Sequence, residues 1–385
     1  MSGRELARLP LTLVLVPLTL FRTPHSFLSF TFPVVSLITL TDRGLYCEPG
    51  DFYVDPWEPV DRAVITHAHG DHASWGSRAY LTSGPGEGVL RARLEPNARI
   101  RGVPYGQSVS LNGVTISLHP AGHILGSSQV RIVHRGEVWV VSGDYKIDPD
   151  PTCTPFEPVR CHTFVTESTF GLPIYRWPPQ TEVFAEINAW WRSNAAQGKT
   201  SMLYGYTLGK SQRLIAGLDP TIGPILTHGA VERMTAAYRA AGVTLPATRY
   251  AGTAERRGDA PGAIVVAPPH ASASPWTRRF GSQATGFASG WMLVRGARRR
   301  RALDRGFALS DHVDWPSLLT AIAATEATQV WVTHGFTGPV VRWLTEHGID
   351  ARAVQTRFEG ERDDEVSEAA GQLGSEAEQP ERLHQ

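Results

Sequence analysis

From Leu40 onward, short apolar runs alternate with polar turns. RAVIT (62–66), GVTISLHPA (113–121), SQVRIVHRGEVWVVSGD (128–144) and HTFVTES (162–168) have the length and the β-branched content of strands. The 128–144 run is long enough for two strands, and Arg135–Gly136 at its middle predicts a hairpin turn. GAIVVAPP (262–269) and QVWVTHG (329–335) read as two further buried strands. Apolar positions at helical spacing predict helices over 181–197, 208–218, 228–242 and 314–325. LPIYRWPPQ (172–180), rich in proline and aromatics, reads as a connector into a second domain. Strands interleaved with helices make this an α/β chain.

The two ends break the pattern. Residues 9–21 are uncharged and apolar behind Arg4 and Arg8, like a secretory leader, yet no alanine occurs between Ala7 and Ala63 to form a cleavage site. The stretch is too short for a bilayer, and Pro10, Pro17, Pro24 and Pro33 interrupt it and its successor. Residues 1–37 are therefore expected to be an extension ahead of the first domain, with a misplaced start as one account of it, and no membrane partner is expected. From Glu359 to the end, nine acidic residues face Arg362 and Arg382, a net of −7. This segment, 359–385, is expected to be a disordered tail. Because the whole chain sums to zero, the rest carries +7, which suits an anionic partner such as nucleic acid. Three cysteines without a CxxC pair exclude a disulfide scaffold and a cysteine-based zinc site.

The chemistry concentrates at RAVITHAHGDHASW. An apolar strand ends at Thr66 and delivers His67, His69, Asp71 and His72. Alternation along an extended chain points His67 and His69 the same way, so both imidazoles reach one cation. Asp71 and His72 are expected where the chain turns into a helix, beside a neighbouring cation. Imidazole and carboxylate together suit zinc or a similar divalent ion. Further ligands are expected downstream at strand ends: His123 in AGHILGSS and Asp144 in VVSGDYK, the latter able to bridge two ions. Each alone would read as an ordinary loop histidine and a turn aspartate. Their order after HxHxDH is what makes them ligand candidates.

HAHGDH, then GH, then SGD, in that order, resemble the metallo-β-lactamase fold, and Asp55 in FYVDPW resembles the early strand aspartate that buttresses the family's ligand loop. TESTFG with Glu167, ALSDHVDW with His312 and VTHG with His334 resemble the three extra motifs of the β-CASP nucleases. YGYTLGKSQRL is similar to the Artemis-type DNA-processing branch. LTDRGLYCEPGDFYVDPW and SGWMLVRGARRRRALDRGFALSDHVDW are similar to bacterial ligase-associated DNA exonucleases. The resemblance spans roughly 38–360. It implies an αββα sandwich, entered over 38–171 and completed over 309–358, with a β-CASP domain inserted at 172–308.

The same resemblance implies a two-metal site, with zinc as the expected metal and manganese as the alternative. His67, His69 and His123 would hold one ion, Asp71, His72 and His334 the other, and Asp144 would lie between them. It further implies His312, paired with Glu167, as a general acid. DNA is the expected substrate, with RNA open, since relatives cut both polymers. An ATP-dependent DNA ligase and a helicase are the implied partners, in the cytoplasm. A small-molecule hydrolase would instead place its last ligand in a compact core without a long insertion, and a purely binding module would be expected to have lost ligands.

Two features bear on substrate. Arg298, Arg299, Arg300 and Arg301, with Arg295 and Arg305 nearby, suit a phosphate backbone. In GYTLGKSQRL the glycines are one residue too close for a nucleotide-binding phosphate loop, but Lys210, Ser211 and the helix start suit a terminal phosphate.

Overall fold

The computed structural model describes residues 36–253, 261–272, 274–294 and 303–357. The expected amino extension up to Val35, the acidic tail from Glu359 and the Arg298–Arg301 run lie outside the described residues. The body of the chain begins at Leu37.

Its first sheet contains β1 (Thr39–Thr41), β2 (Gly44–Cys47), β3 (Phe52–Val54), β4 (Ala63–Val64), β5 (Tyr80–Ser83) and β6 (Ile100–Val103), in that spatial order. The first two pairings are antiparallel and the rest parallel. Between β5 and β6 runs α1 (Gly84–Arg93), started by Ser83, whose hydroxyl accepts from Gly86 N, and by Pro85 in its first turn. The second sheet opens with β7 (Val109–Leu111), β8 (Val114–Pro120), β9 (Ser128–His134), β10 (Glu137–Val141) and β11 (Thr163–Glu167). Its β9–β10 hairpin turns at Arg135 and Gly136, both left-handed, as a tight turn requires.

The chain then leaves this sheet to build a third. After α2 (Gln180–Ala196) come β12 (Thr200–Tyr204), α3 (Lys210–Gly217), β13 (Ile225–Thr227), α4 (Gly229–Ala240), β14 (Arg249–Tyr250), β15 (Ile264–Ala267), β16 (Gln283–Ala288) and β17 (Arg305–Phe307). These strands stand in the order β14-β13-β15-β12-β16-β17, every pair parallel. Central β12 is buried at all five positions, as a parallel strand covered on both faces must be. Finally α5 (Trp315–Ala324), β18 (Gln329–Thr333), α6 (Thr337–Glu346) and β19 (Asp350–Ala353) return to the second sheet, where β18 and β19 add in parallel beyond β11.

The apolar faces explain the layering. Leu45, Phe52, Val54 and Val64 of the first sheet pack against Ile116, Val130, Ile132, Trp139 and Trp331 of the second. Trp139 meets Trp331 edge-to-face at 4.7 Å. Truncating such a buried tryptophan costs about 3–5 kcal/mol. The opposite face of the second sheet is covered by Leu318 and Ile322 of α5 and by Val340 and Leu344 of α6. Val89 and Leu90 of α1 cover the first sheet together with Met234 and Tyr238 of α4. The result is an αββα sandwich with an inserted α/β layer.

Sequence patterning recovers β8 to β11, β15, β18 and α2 to α5, misses α1, α6, β12 and β16, and places one element wrongly: no helix begins at Asp71–His72. The amides of His72 and Ala73 both turn back to His69 O, at 3.2 and 2.9 Å, and the next helix starts only at Gly84. The strand expected over 62–66 pairs only at Ala63–Val64. Among the described residues no helix is long and apolar enough to cross a membrane.

Candidate metal centre

The two core sheets deliver the expected residues to one place, at strand ends. The His67–His72 turn follows β4, His123 lies between β8 and β9, Asp144 follows β10, and Glu167 closes β11. Parallel pairing of β11 with β18 sets Glu167 opposite Thr333, so the next residue, His334, emerges at the same edge. His334 has φ +51°, and Ser168 Oγ donates to its carbonyl. A left-handed non-glycine residue costs about 1–3 kcal/mol and persists where its surroundings hold it. At Gly335 (φ +66°) a Cβ would sit 2.5 Å from Ser168 O, so only glycine fits.

The ligand atoms of His67, His69, His123 and Asp144 lie within 4.8 Å of one another, and those of His72, Asp144 and His334 form a second such group. His69 Nδ1 is 3.1 Å from His67 Nε2 and 3.2 Å from His123 Nε2. Asp144 Oδ2 is 3.5 Å from both His67 Nε2 and His72 Nε2, and Asp71 Oδ2 is 3.4 Å from His72 Nε2. Nitrogens around a tetrahedral ion at ~2.0–2.1 Å stand ~3.4 Å apart, close to this spacing.

The protons on these rings follow from their outer partners. Thr66 Oγ1 donates to Asp55 Oδ2 at 2.6 Å, so it accepts from His67 Nδ1 at 3.1 Å, and His67 Nε2 faces inward bare. His72 Nδ1 donates to Asp55 Oδ2 (2.7 Å), His69 Nε2 to Leu208 O (3.2 Å) and His123 Nδ1 to Asp311 O (3.0 Å). His67, His69 and His123 thus each turn an unprotonated nitrogen toward a common centre, and His72 aims its Nε2 the same way; without a cation the three lone pairs face one another. His72 Nε2 and Asp144 Oδ1 are buried and make no hydrogen bond within the chain. The donor set fits a divalent cation. Asp55 acts from outside the cluster: besides its bonds to Thr66 and His72, its Oδ1 accepts from Thr66 N at 2.8 Å, so it braces the turn.

Electrostatics sort the titrating groups. Burial, reinforced by His72 and His69, holds His67 well below the usual histidine range, and burial with His312 does the same to His123. His334 is lowered too, by burial and then His72. For His72, burial opposes the charge but Asp71, Asp144 and Asp55 outweigh it, and the ring sits well above the ordinary value. Asp144 is held well below the carboxylate range, because His72 and His312 overcome its burial. His312, 1% exposed, places Nδ1 2.9 Å from Glu167 Oε2 and 4.0 Å from Asp144 Oδ2. Burial disfavours its charge, yet Glu167 and then Asp144 raise it well above the histidine norm. Glu167 is itself clamped, its Oε1 accepting from Tyr145 N at 2.8 Å.

Two expected residues are placed elsewhere. Lys210 and Ser211 do not face an open phosphate site: both are fully buried. Lys210 Nζ lies 2.5 Å from Asp311 Oδ1, and Ser211 Oγ donates to Tyr206 O at 2.7 Å. The helix start they occupy is sealed because α3 packs inward. Two further histidines have local tasks: His228 Nδ1 accepts from Ala230 N to cap α4, and His162 Nδ1 accepts from Val138 N. The carbonyls of Leu208 and Asp311, which orient His69 and His123, carry no sequence signal, since any residue has one.

No protein-family profile matches the chain. It is similar to a probable DNA ligase of Opitutus terrae, 31% identical over 315 residues, which are 81% of this chain and 30% of that protein. It is also similar to Endoribonuclease YSH1 of Yarrowia lipolytica, 24% identical over 195 residues, covering 42% of this chain and 23% of the relative. The chain thus spans less than a third of either relative. Among solved structures, a protein of unknown function from Enterococcus faecalis V583 shares the fold, with a TM-score of 0.53 at 12% identity over 77% of this chain and 80% of that one.

Proposed function

We propose that this chain, which belongs with the β-CASP nucleases of the metallo-β-lactamase fold, is a metal-dependent phosphodiesterase that trims DNA ends during repair. The observation that carries this is the convergence of four inward-facing histidine nitrogens on Asp144, directly beside a buried histidine–glutamate pair. His67, His69, His123 and Asp144 would hold one ion, and Asp71, His72, His334 and Asp144 a second. Zinc suits the donors best and manganese second. Divalent ions there supply Lewis acidity toward a phosphodiester and its attacking water.

The chain's own groups do the rest. Asp55 and Thr66 fix the ligand turn. Glu167 holds Nδ1 of His312, leaving Nε2 as the nitrogen that would hand a proton to the departing oxygen, with Glu167 and Asp144 favouring the proton-loaded ring. The Arg298–Arg301 run would supply cations to the phosphate backbone.

The similarity to a probable DNA ligase favours DNA and a repair setting, because damaged or mismatched ends must be trimmed before they can be joined. A ligase and a helicase are the proposed partners, in the cytoplasm. The similarity to an endoribonuclease supports RNA as the second reading. Purified chain, offered DNA and RNA labelled separately at each end with Zn²⁺ or Mn²⁺, decides. Metal-dependent shortening of DNA from one end is expected. RNA cleavage with DNA untouched would favour the second reading, and no cleavage of either would sink both.

A further inference from the structure

Helix α3 belongs to the inserted layer, yet its first turn reaches the metal centre. Gly209, with φ +81°, precedes it, and a Cβ there would lie 2.2 Å from Ile124 Cγ2, next to the ligand His123. Only glycine permits that approach. The following residue, Lys210, sends its ammonium to Asp311 Oδ1 at 2.5 Å and to Leu309 O at 3.3 Å. Both members of the pair are almost wholly shielded, with side-chain exposures of 0% and 3%. One turn on, Arg213 is equally enclosed. Its NH2 donates to His123 O at 3.1 Å, its NH1 to Ser310 O at 3.5 Å, and its Nε lies 3.3 Å from Asp150 Oδ2.

These contacts converge on two short segments. Asp311, held by Lys210 through its side chain, is the residue whose carbonyl accepts from His123 Nδ1. It directly precedes His312, and Arg213 grips the carbonyls of Ser310 and His123 on either side. The loop into α3 supplies Leu208 O, which accepts from His69 Nε2. The inserted layer therefore sets the ring orientation of two ligand histidines and the seat of His312, although it contributes no ligand.

A buried ion pair is weak evidence for stability, because desolvation offsets the attraction. Its geometric consequence here is specific. We propose that Lys210 and Arg213 are positioning residues: through Asp311 and the carbonyls of Ser310 and His123 they hold His123 and His312 in register, so that the inserted layer assembles the metal centre. This rests on the metal-site assignment and not on the choice of polymer.

The test is the Zn²⁺ affinity of the full chain, measured without nucleic acid, alongside the thermal midpoint of the metal-free protein and a Co²⁺ absorption spectrum. Lys210→Met alone strands a buried carboxylate and risks misfolding, so the decisive variant is Lys210→Met with Asp311→Asn, which removes both charges and keeps the volume. Outer partners of ligands are worth about 10–100-fold in metal affinity or activity. The double variant should keep the metal-free midpoint, lose about that much Zn²⁺ affinity, alter the Co²⁺ spectrum, and lower kcat more than it raises KM. Parental Zn²⁺ affinity with a parental spectrum overturns the proposal. So does a double variant that no longer folds without metal, since the pair would then be structural only. If the parent binds Zn²⁺ but cleaves no polymer, the nuclease assignment fails while the affinity comparison still decides this one.

Discussion

His312 Nδ1 lies 2.9 Å from Glu167 Oε2, although 145 residues and an entire third sheet separate the two in the chain. The carboxylate fixes which ring nitrogen is engaged and favours the protonated ring. Removing its charge should lower the imidazolium's pKa, so activity that needs the protonated form should fail at lower pH. In Glu167→Gln the alkaline limb of the rate profile is expected to move down. A limb that stays in place while the rate falls would show that Glu167 does not govern the acid.

His312→Ala should retain the parental metal content and lose about 10²–10⁴-fold in cleavage rate, the usual scale of general acid catalysis. Metal analysis of the purified variant decides between two roles. Loss of an ion would make His312 a ligand, which its place in a further group with Asp144 and Glu167 allows.

His67→Ala and Asp144→Ala should each lower metal content and abolish cleavage, with the fold retained by circular dichroism. Asp144 belongs to both ligand groups, so its loss should cost more metal than that of His67. Equal content in parent and both variants, with activity intact, would remove the metal assignment.

In the metal-free protein His72 is held above the histidine norm by Asp71, Asp144 and Asp55, against its own burial. A ligand nitrogen must be deprotonated, so ion uptake should release a proton near neutral pH and strengthen as pH rises. Calorimetry in buffers of differing ionisation enthalpy measures that release, which should diminish in His72→Ala. The sign for stability follows: a raised folded pKa stabilises the metal-free protein below the unfolded value of about 6.5, and that contribution fades as pH climbs through the folded pKa.

Replacing Arg298, Arg299, Arg300 and Arg301 with Gln should weaken polymer binding at low salt. Each phosphate contact contributes a log–log slope of about 0.7 on single strands and 0.9 on duplex, so the slope should become shallower by up to ~3 units on single strands and somewhat more on duplex. Hydrolysis of bis(p-nitrophenyl) phosphate, which offers no polymer backbone to a basic run, should be unchanged. An unaltered salt slope would mean that these arginines do not touch the backbone.

The ligand loop was legible in the sequence because its chemistry is local: four metal-type side chains within six residues after an apolar strand. The longer elements, such as β8, β9, β10 and α2, were legible by periodicity. Short strands such as β1, β3, β7 and β14 were not, because so few positions carry no period, and β12, β16, α1 and α6 were missed despite their greater length. The turn at Asp71–His72 reads as a helix start in the sequence because backbone amides returning to His69 O leave no mark on residue type. Lys210 and Ser211 looked like a phosphate site because glycine, lysine and serine at a helix start suit an anion. Only the packing of α3 against the core determined that the anion met there is Asp311, 101 residues along the chain. The same holds for what orients the ligands. Leu208 and Asp311 act through their carbonyls, 139 and 188 residues from the histidines they hold. Side-chain identity reports what chemistry is possible, whereas backbone groups brought together across the fold decide which nitrogen points inward.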